Sequence, residues 1–166
     1  MCPPEYSTHL LNRKPPVSAR SDDQREERQM QNPLVDFLGI VDPATEKLLK
    51  FVGENFFVRR LGNLPELKRA VRESAPDIVF CSWSFPSGEW KDVVAVVEEV
   101  DSGIPVIVIS REDDGLDTSG AWFQVFKGGG FDLLSPPFRT TTIQWVLRQA
   151  IESRFARSAR AHANNA

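Results

Sequence analysis

The sequence alternates five times between a short, mostly apolar run and a helical pattern of apolar residues. The apolar runs cover residues 34–41, 56–61, 78–81, 104–110 and 131–135. Runs of this length are typical of strands that are buried in a sheet. The helical patterns cover residues 43–55, 64–75, 89–100, 121–127 and 139–155. A strand followed by a helix, repeated in this way, predicts an α/β domain.

The runs lack the polar alternation of a strand that faces water on one side. This predicts a parallel sheet that helices cover on both faces. Right-handed crossovers then lead to a doubly wound, five-stranded sheet in a three-layer sandwich. The functional site of such a sheet lies at the carboxyl ends of its strands. The candidate segments are therefore residues 39–42, 81–84, 110–112 and 135–137.

Two terminal segments are predicted to lie outside this domain, which covers residues 33–156. Residues 1–32 contain four prolines, no periodic apolar stripe, and five basic and five acidic residues. Because such a segment buries too little apolar surface to offset its ordering entropy, we expect a disordered N-terminal tail. Residues 157–166 are predicted to form a C-terminal tail.

Composition excludes several classes of protein. The chain has 20 basic and 23 acidic residues, and a net charge of −3 argues against bulk nucleic-acid binding. No apolar run approaches the roughly 18 residues of a membrane helix, and the N-terminus lacks a secretory signal. Cys2 and Cys81 are too few for a disulfide framework or a cysteine zinc site. His9 and His162 lie near opposite ends of the chain, so we expect no metal site. A chain with two cysteines and no disulfide framework is typical of a reducing compartment, so we expect a cytoplasmic location.

Three segments together resemble a known family. They are PDIVFCSWSFPSG at 76–88, IPVIVIS at 104–110 and GGFDLLSPPF at 129–138. In their order and separation they are similar to the CheY-like receiver domain of two-component response regulators. The resemblance covers roughly residues 34–155 and implies the flavodoxin-like (βα)5 fold of that family.

Receiver domains carry an Asp phosphoacceptor after the third strand and an acidic pair for Mg²⁺ after the first. The resemblance places the phosphoacceptor at Ser82 and the acidic pair at Ile40 and Val41. It places the family's phosphate-binding Lys, which follows the fifth strand, at Pro136. A hydroxyl is a poor substitute for the acceptor, because an Asp is ionised at neutral pH and a Ser is not.

Two other pocket residues, Ser110 and Asp42, are compared with the family in the same way. Ser110 keeps the family's Ser or Thr after the fourth strand, and Asp42 lies one residue after the acidic pair. Since acceptor, metal ligands and cation are missing together, no charge is left unpaired in the pocket. We therefore expect a pseudo-receiver that lacks aspartyl phosphorylation, has no enzymatic activity, and binds neither Mg²⁺ nor another cofactor.

Aromatic residues suggest how such a domain would act. In receivers the surface of the fourth helix, fifth strand and fifth helix contacts partners, and Trp and Arg often anchor interfaces. The interface candidates on this surface are Trp122, Phe126, Leu133, Trp145 and Arg148. We expect a phosphorelay-related interaction module whose partner is a histidine kinase or another signalling protein. A homodimer is also open, whereas nucleic acid and membrane are not expected.

Two alternatives remain from the sequence. One is a receiver with an unusual phosphotransfer through Asp42 or Ser82. The other is a small flavodoxin-like ligand-binding domain whose site is unrelated to phosphate.

Overall fold

The computed structural model describes residues 32–165. The tail predicted over residues 1–32 lies outside the described residues except for Asn32. The main strands are β1 (Leu34–Leu38), β2 (Phe57–Leu61), β3 (Ile78–Ser82), β4 (Val106–Ile109) and β5 (Asp132–Leu134). The helices are α1 (Pro43–Val52), α2 (Leu64–Glu73), α3 (Trp90–Asp101), α4 (Thr118–Lys127) and α5 (Thr140–Asn164).

The five strands form one parallel sheet in the order β2-β1-β3-β4-β5. The order reverses at β1, because the chain adds β2 on one side and β3, β4 and β5 on the other. This confirms the doubly wound five-stranded sheet, and it brings the ends of β1, β3 and β4 together at the edge where the site was predicted.

Helices cover both faces of the sheet, as strands that are apolar on both faces require. Alternate residues of the central strands point to opposite faces, so that Phe80 belongs to one core and Cys81 to the other. The core on the first face contains residues of α1 and α5, which include Leu48, Val52, Ile143, Val146, Leu147 and Ala150. The core on the second face contains residues of α2, α3 and α4, which include Leu67, Val71, Trp90, Val93, Val97 and Val125.

Side-chain caps determine where three helices begin. The carboxylates of Asp42 and Asp117 and the amide oxygen of Asn63 accept hydrogen bonds from backbone N–H groups in the first turns of α1, α4 and α2. The predicted starts of α1 and α2 are therefore confirmed. The start of α4, in contrast, comes earlier than residue 121, because Asp117 caps the helix at Thr118.

The last helix is longer than predicted. It runs to Asn164, so that most of the predicted C-terminal tail over residues 157–166 is helical. Two arginines tie it to the end of α3: both Nη atoms of Arg154 donate to the Asp101 carboxylate, and Arg157 Nη1 donates to the Ser102 carbonyl. Phe155, the last residue of the predicted apolar pattern over residues 139–155, is 57% exposed because the core under α5 ends near Ala150.

A short hairpin follows β3 where the sequence predicted only a loop. Ser84–Phe85 pairs antiparallel with Gly88–Glu89, and the backbone N–H of Trp90 donates to the Trp83 carbonyl. The hairpin thus holds the start of α3 close to the end of β3.

Candidate functional site

The four residues predicted for the pocket follow the strands of the sheet at one edge. Ser82 is the last residue of β3, and Ser110 directly follows β4. Asp42 follows β1 as the residue that caps α1, and Pro136 follows β5. The parallel sheet therefore brings all four to its carboxyl edge, as predicted from the alternating pattern.

Ser82 is sealed inside this edge. Its side chain is buried, and its Oγ accepts a hydrogen bond of 2.9 Å from the backbone N–H of Ile40. A Cβ added at Gly39 would overlap the Ser82 side chain and approach its backbone nitrogen. The loop after β1 thus lies directly on Ser82.

Asp42 is engaged in the start of α1. Its Oδ1 accepts a hydrogen bond of 2.7 Å from the backbone N–H of Thr45. This hydrogen bond is the main reason why the pKa of Asp42 lies below its ordinary value, and the nearby charge of Arg111 lowers the pKa further. Asp42 is therefore an ionised carboxylate that caps a helix.

Ser110 and Pro136 form the other side of the edge. Ser110 is buried, and its hydroxyl donates a hydrogen bond of 2.7 Å to Ser135 Oγ. Pro136 is half-buried and is joined to Pro137 by a cis peptide bond. The hydroxyl that keeps the family's residue type is thus paired within the protein, and Pro136 supplies no charge.

Arg111 lies in the predicted candidate segment 110–112, although no role was predicted for it. Its side chain is only 19% exposed, and its guanidinium makes ion pairs of 3.3 Å with Asp114 and 3.5 Å with Asp113. Its Nε is buried and has no hydrogen-bond partner within residues 32–165. Its charge also acts on Asp42, across the edge. A signal for such a role was present in the sequence, since Arg111 is a basic residue two positions after a buried strand.

The described part of the chain contains no group of three His, Cys, Asp or Glu side chains arranged to hold a metal ion. Cys81 is fully buried in β3, and burial raises the pKa of its thiol well above the ordinary value. A buried thiol that stays protonated is a weak nucleophile.

Two shallow grooves lie on the surface, and the four predicted pocket residues line neither of them. One, of about 200 Å³, lies between α1 and the start of α5, and the other, of about 270 Å³, lies at the start of α2. Small-molecule sites are usually clefts of ~300 to 1,000 Å³. Both grooves are smaller than this range.

Solved structures share this architecture. An adenylate cyclase from Rhodopirellula baltica matches 81% of this chain and 98% of its own, with a TM-score of 0.66 and 15% identity. A response regulator receiver domain protein from Clostridium thermocellum matches 75% of this chain and 98% of its own, with a TM-score of 0.62 and 13% identity. A signal receiver domain of an HD domain-containing protein from Pseudomonas fluorescens has the same TM-score and identity and covers 76%. The chain has the receiver fold.

A sequence relative agrees with this fold. The chain is 29% identical over 100 residues to the DNA-binding response regulator MtrA of Mycolicibacterium smegmatis. The match covers 59% of this chain and 42% of MtrA, so it spans less than half of that relative. No protein-family model matches the sequence. No helix among the described residues is both long enough and apolar enough to cross a membrane.

The outer surface of α4 in this receiver fold carries three exposed aromatic side chains. They are Trp122, Phe123 and Phe126, which are 46%, 53% and 62% exposed, and we call them the α4 aromatic surface. The rings of Trp122 and Phe126 stack with centroids 5.6 Å apart, and Trp122 Nε1 donates to Asp132 on β5.

The other interface candidates divide between solvent and core. Trp145 is 59% exposed and Arg148 is exposed, both on α5. Leu133, in contrast, is only 9% exposed and packs in the core beneath α4. Its selection as an interface residue is wrong, because the alternation of β5 turns its side chain inward.

Proposed function

We propose that the chain is a receiver-like module of two-component signalling that binds a protein partner without being phosphorylated on an aspartate. The receiver fold and the similarity to MtrA support the signalling role. The proposal includes no enzymatic activity, no requirement for Mg²⁺ or another cofactor, and no binding of nucleic acid, which the net charge of −3 disfavours.

The observation that carries the proposal is the state of Ser82. The residue at the phosphoacceptor position is a buried hydroxyl that accepts a hydrogen bond from the Ile40 N–H, beneath a loop that passes over it at Gly39. It offers Mg²⁺ no carboxylate, and a phosphoryl donor could reach it only if the β1 loop moved away.

The charges around Ser82 also support a domain that is complete without phosphate. Arg111 provides a positive charge at the edge, and Asp42, Asp113 and Asp114 lie close enough to interact with it. The cation of this edge is therefore already paired with carboxylates of the chain and is not free to bind a phosphoryl group.

The α4 aromatic surface is the proposed contact for a protein partner such as a histidine kinase or another signalling protein. Large rings that are already held in place lose little freedom on binding, and they are common anchors of interfaces. The stacking of Trp122 on Phe126 and the hydrogen bond to Asp132 hold the surface in this way.

Phosphorylation is tested by incubating the full chain with Mg²⁺ and acetyl phosphate and measuring its intact mass. We expect no added phosphoryl mass. A Mg²⁺-dependent gain that Ser82→Ala or Asp42→Asn abolishes would contradict the proposal and assign the transfer to that residue. A gain that survives both substitutions would mean that an acceptor elsewhere was missed.

Partner binding is tested by comparing proteins captured from the native host by the wild type and by variants. Trp122→Ala with Phe126→Ala should abolish the capture of a signalling protein. Phe57→Ala is the matched control, because Phe57 is 65% exposed on β2, away from α4. Equal capture by all three proteins would refute the role of the α4 aromatic surface.

A further inference from the structure

The outer face of α5 carries residues at the spacing of a coiled-coil seam. Trp145, Arg148, Glu152 and Phe155 follow one another at intervals of three, four and three residues, and all four are exposed. We call these four residues the α5 seam. Alternating intervals of three and four are those of the a and d positions by which two helices pack together.

The seam lies opposite the side of α5 that enters the core. The buried residues of α5 are Ile143, Val146, Leu147 and Ala150, and at about 100° per residue their stripe is on the far side of the helix. The helix therefore has two faces that carry large apolar groups. One is covered by the sheet, and the other exposes Trp145 and Phe155 to solvent.

The charged pair of the seam has no strong partner within the chain. Arg148 forms no ion pair with any residue in the range 32–165, and Glu152 accepts only a long contact of 3.5 Å from Gln149. An Arg that precedes a Glu by four residues is also the weaker order for a pair within one helix. Both charges are thus available to another molecule.

We propose that this face binds the α5 helix of a second copy of the chain, antiparallel and about a two-fold axis near residue 150. In antiparallel pairs an a residue faces a d residue of the other helix. Trp145 then faces Phe155 of the second copy, and Arg148 faces Glu152 of the second copy. Symmetry produces each contact twice, so two ion pairs lie between two aromatic layers.

The charges select this orientation over a parallel one. A parallel pair in register would place Arg148 beside Arg148 and Glu152 beside Glu152, which is repulsive at both layers. The antiparallel pair replaces both repulsions with attractions. Arg148 and Glu152 together therefore favour a second copy of the chain as the partner and an antiparallel orientation of its α5 helix.

The rest of the helix supports this geometry. Arg154 and Arg157 fasten α5 to the end of α3, so the seam has a defined direction. Beyond them, Ala159 continues the seam, and in the antiparallel pair it faces Thr141 of the second copy, which is exposed in the first turn of α5. A small residue at that layer lets the two helices approach closely.

The pairing does not depend on the proposed function, since it involves neither the pocket nor the α4 aromatic surface. One helix on each side is a small interface, so we expect a dimer with a dissociation constant on the order of 10 to 100 μM. Sedimentation velocity of the full chain over this concentration range measures it.

Charge reversal tests the pairing and its direction together. Arg148→Glu alone should raise the dissociation constant about tenfold or more, because it places two carboxylates opposite each other in both layers. Adding Glu152→Arg should restore the wild-type value within about threefold. Phe155→Ala should also weaken the dimer, whereas Phe57→Ala, on β2, should leave it unchanged.

Three outcomes would overturn the proposal. The first is a wild type that stays monomeric throughout the concentration range. The second is a dimer that Arg148→Glu does not weaken, which a parallel pair or a different surface would produce. The third is a double variant as weak as Arg148→Glu alone. Circular dichroism of each variant separates these outcomes from a loss of folding.

Discussion

Replacing Arg59 with Met should leave a carboxylate without its partner inside the sheet. Asp36 lies in β1 and is fully buried, although the sequence around it is apolar. Arg59 lies opposite it on β2, with Nε 2.6 Å from Oδ1 and Nη2 2.8 Å from Oδ2. Nη2 of Arg59 also donates to the Ser74 carbonyl at 2.9 Å. Met fills a similar volume but can make none of these contacts.

The size of the expected destabilisation by Arg59→Met follows from the burial of the Asp36 carboxylate. Removing one member of a buried ion pair costs about 3 to 5 kcal/mol, because the other charge stays desolvated. The Arg59 side chain is 27% exposed, so water can partly solvate the Asp36 carboxylate once the guanidinium is gone. We therefore expect a loss of stability at the lower end of this range, about 3 kcal/mol. Urea unfolding at neutral pH measures the loss.

The pH dependence provides a second readout. Burial raises the pKa of Asp36 above its ordinary value in spite of Arg59. Because the folded state then binds the proton more tightly than the unfolded state, Asp36 lowers stability as the pH rises above about 4. Without Arg59 the folded pKa rises further, so the cost of Arg59→Met should be largest at neutral pH and shrink toward about pH 4.

The double variant Asp36→Asn with Arg59→Met is the control, since it removes the buried charge together with its partner. It should be more stable at neutral pH than Arg59→Met alone. The reasoning is refuted if Arg59→Met costs less than about 1 kcal/mol or costs the same at both pH values.

Three further predictions concern the carboxyl edge of the sheet. Gly39→Ala should lower the free energy of unfolding by about 1 to 3 kcal/mol in a denaturant titration, because its Cβ would overlap Ser82; an unchanged midpoint would show that the loop can move away. Asp42→Ala should cost about 1 kcal/mol at neutral pH through loss of the cap on α1, and Asp42→Asn much less. Since the folded pKa of Asp42 is lowered, the stability difference between the wild type and Asp42→Ala should shrink as acid protonates the carboxylate, and a difference independent of pH would mean that the charge of Asp42 adds nothing to the cap. Arg111→Met should raise the pKa of Asp42 in a carboxyl NMR titration, and an unchanged pKa would mean that the guanidinium does not act across the edge.

Local patterns were enough to predict most of the secondary structure. The apolar runs predicted all five strands, because strands covered on both faces leave no polar alternation. The starts of α1 at residue 43 and of α2 at residue 64 were predicted correctly, because the caps that fix them, Asp42 and Asn63, contact only near neighbours in sequence. The end of α5 was predicted too early. Arg154 and Arg157 of this helix donate hydrogen bonds to Asp101 and Ser102, which are distant in sequence, and such contacts leave no local pattern.

The same division holds for the site. The absence of a carboxylate at Ser82 and of a cation at Pro136 is a matter of residue identity, so alignment with the receiver pattern predicted it. Arg111 was within a predicted site segment, but its effect on Asp42 was not predicted, because the distance between the two residues depends on how far apart the ends of β1 and β4 lie. Leu133 was wrongly selected as an interface residue. Successive side chains of a strand point to opposite faces of the sheet, so an error of one residue in register exchanges a buried position for an exposed one.

The sequence by itself determined the alternation of strands and helices, two helix starts and the residue types at the carboxyl edge of the sheet, all of which depend on residue types at short spacing. Only the tertiary structure decided that the Ile40 N–H reaches Ser82 and that Arg59 reaches Asp36. It also decided that the α5 seam faces solvent while the opposite stripe enters the core. Those outcomes depend on which strands become neighbours and in what register, because a contact between residues distant in sequence exists only once the parallel sheet has formed.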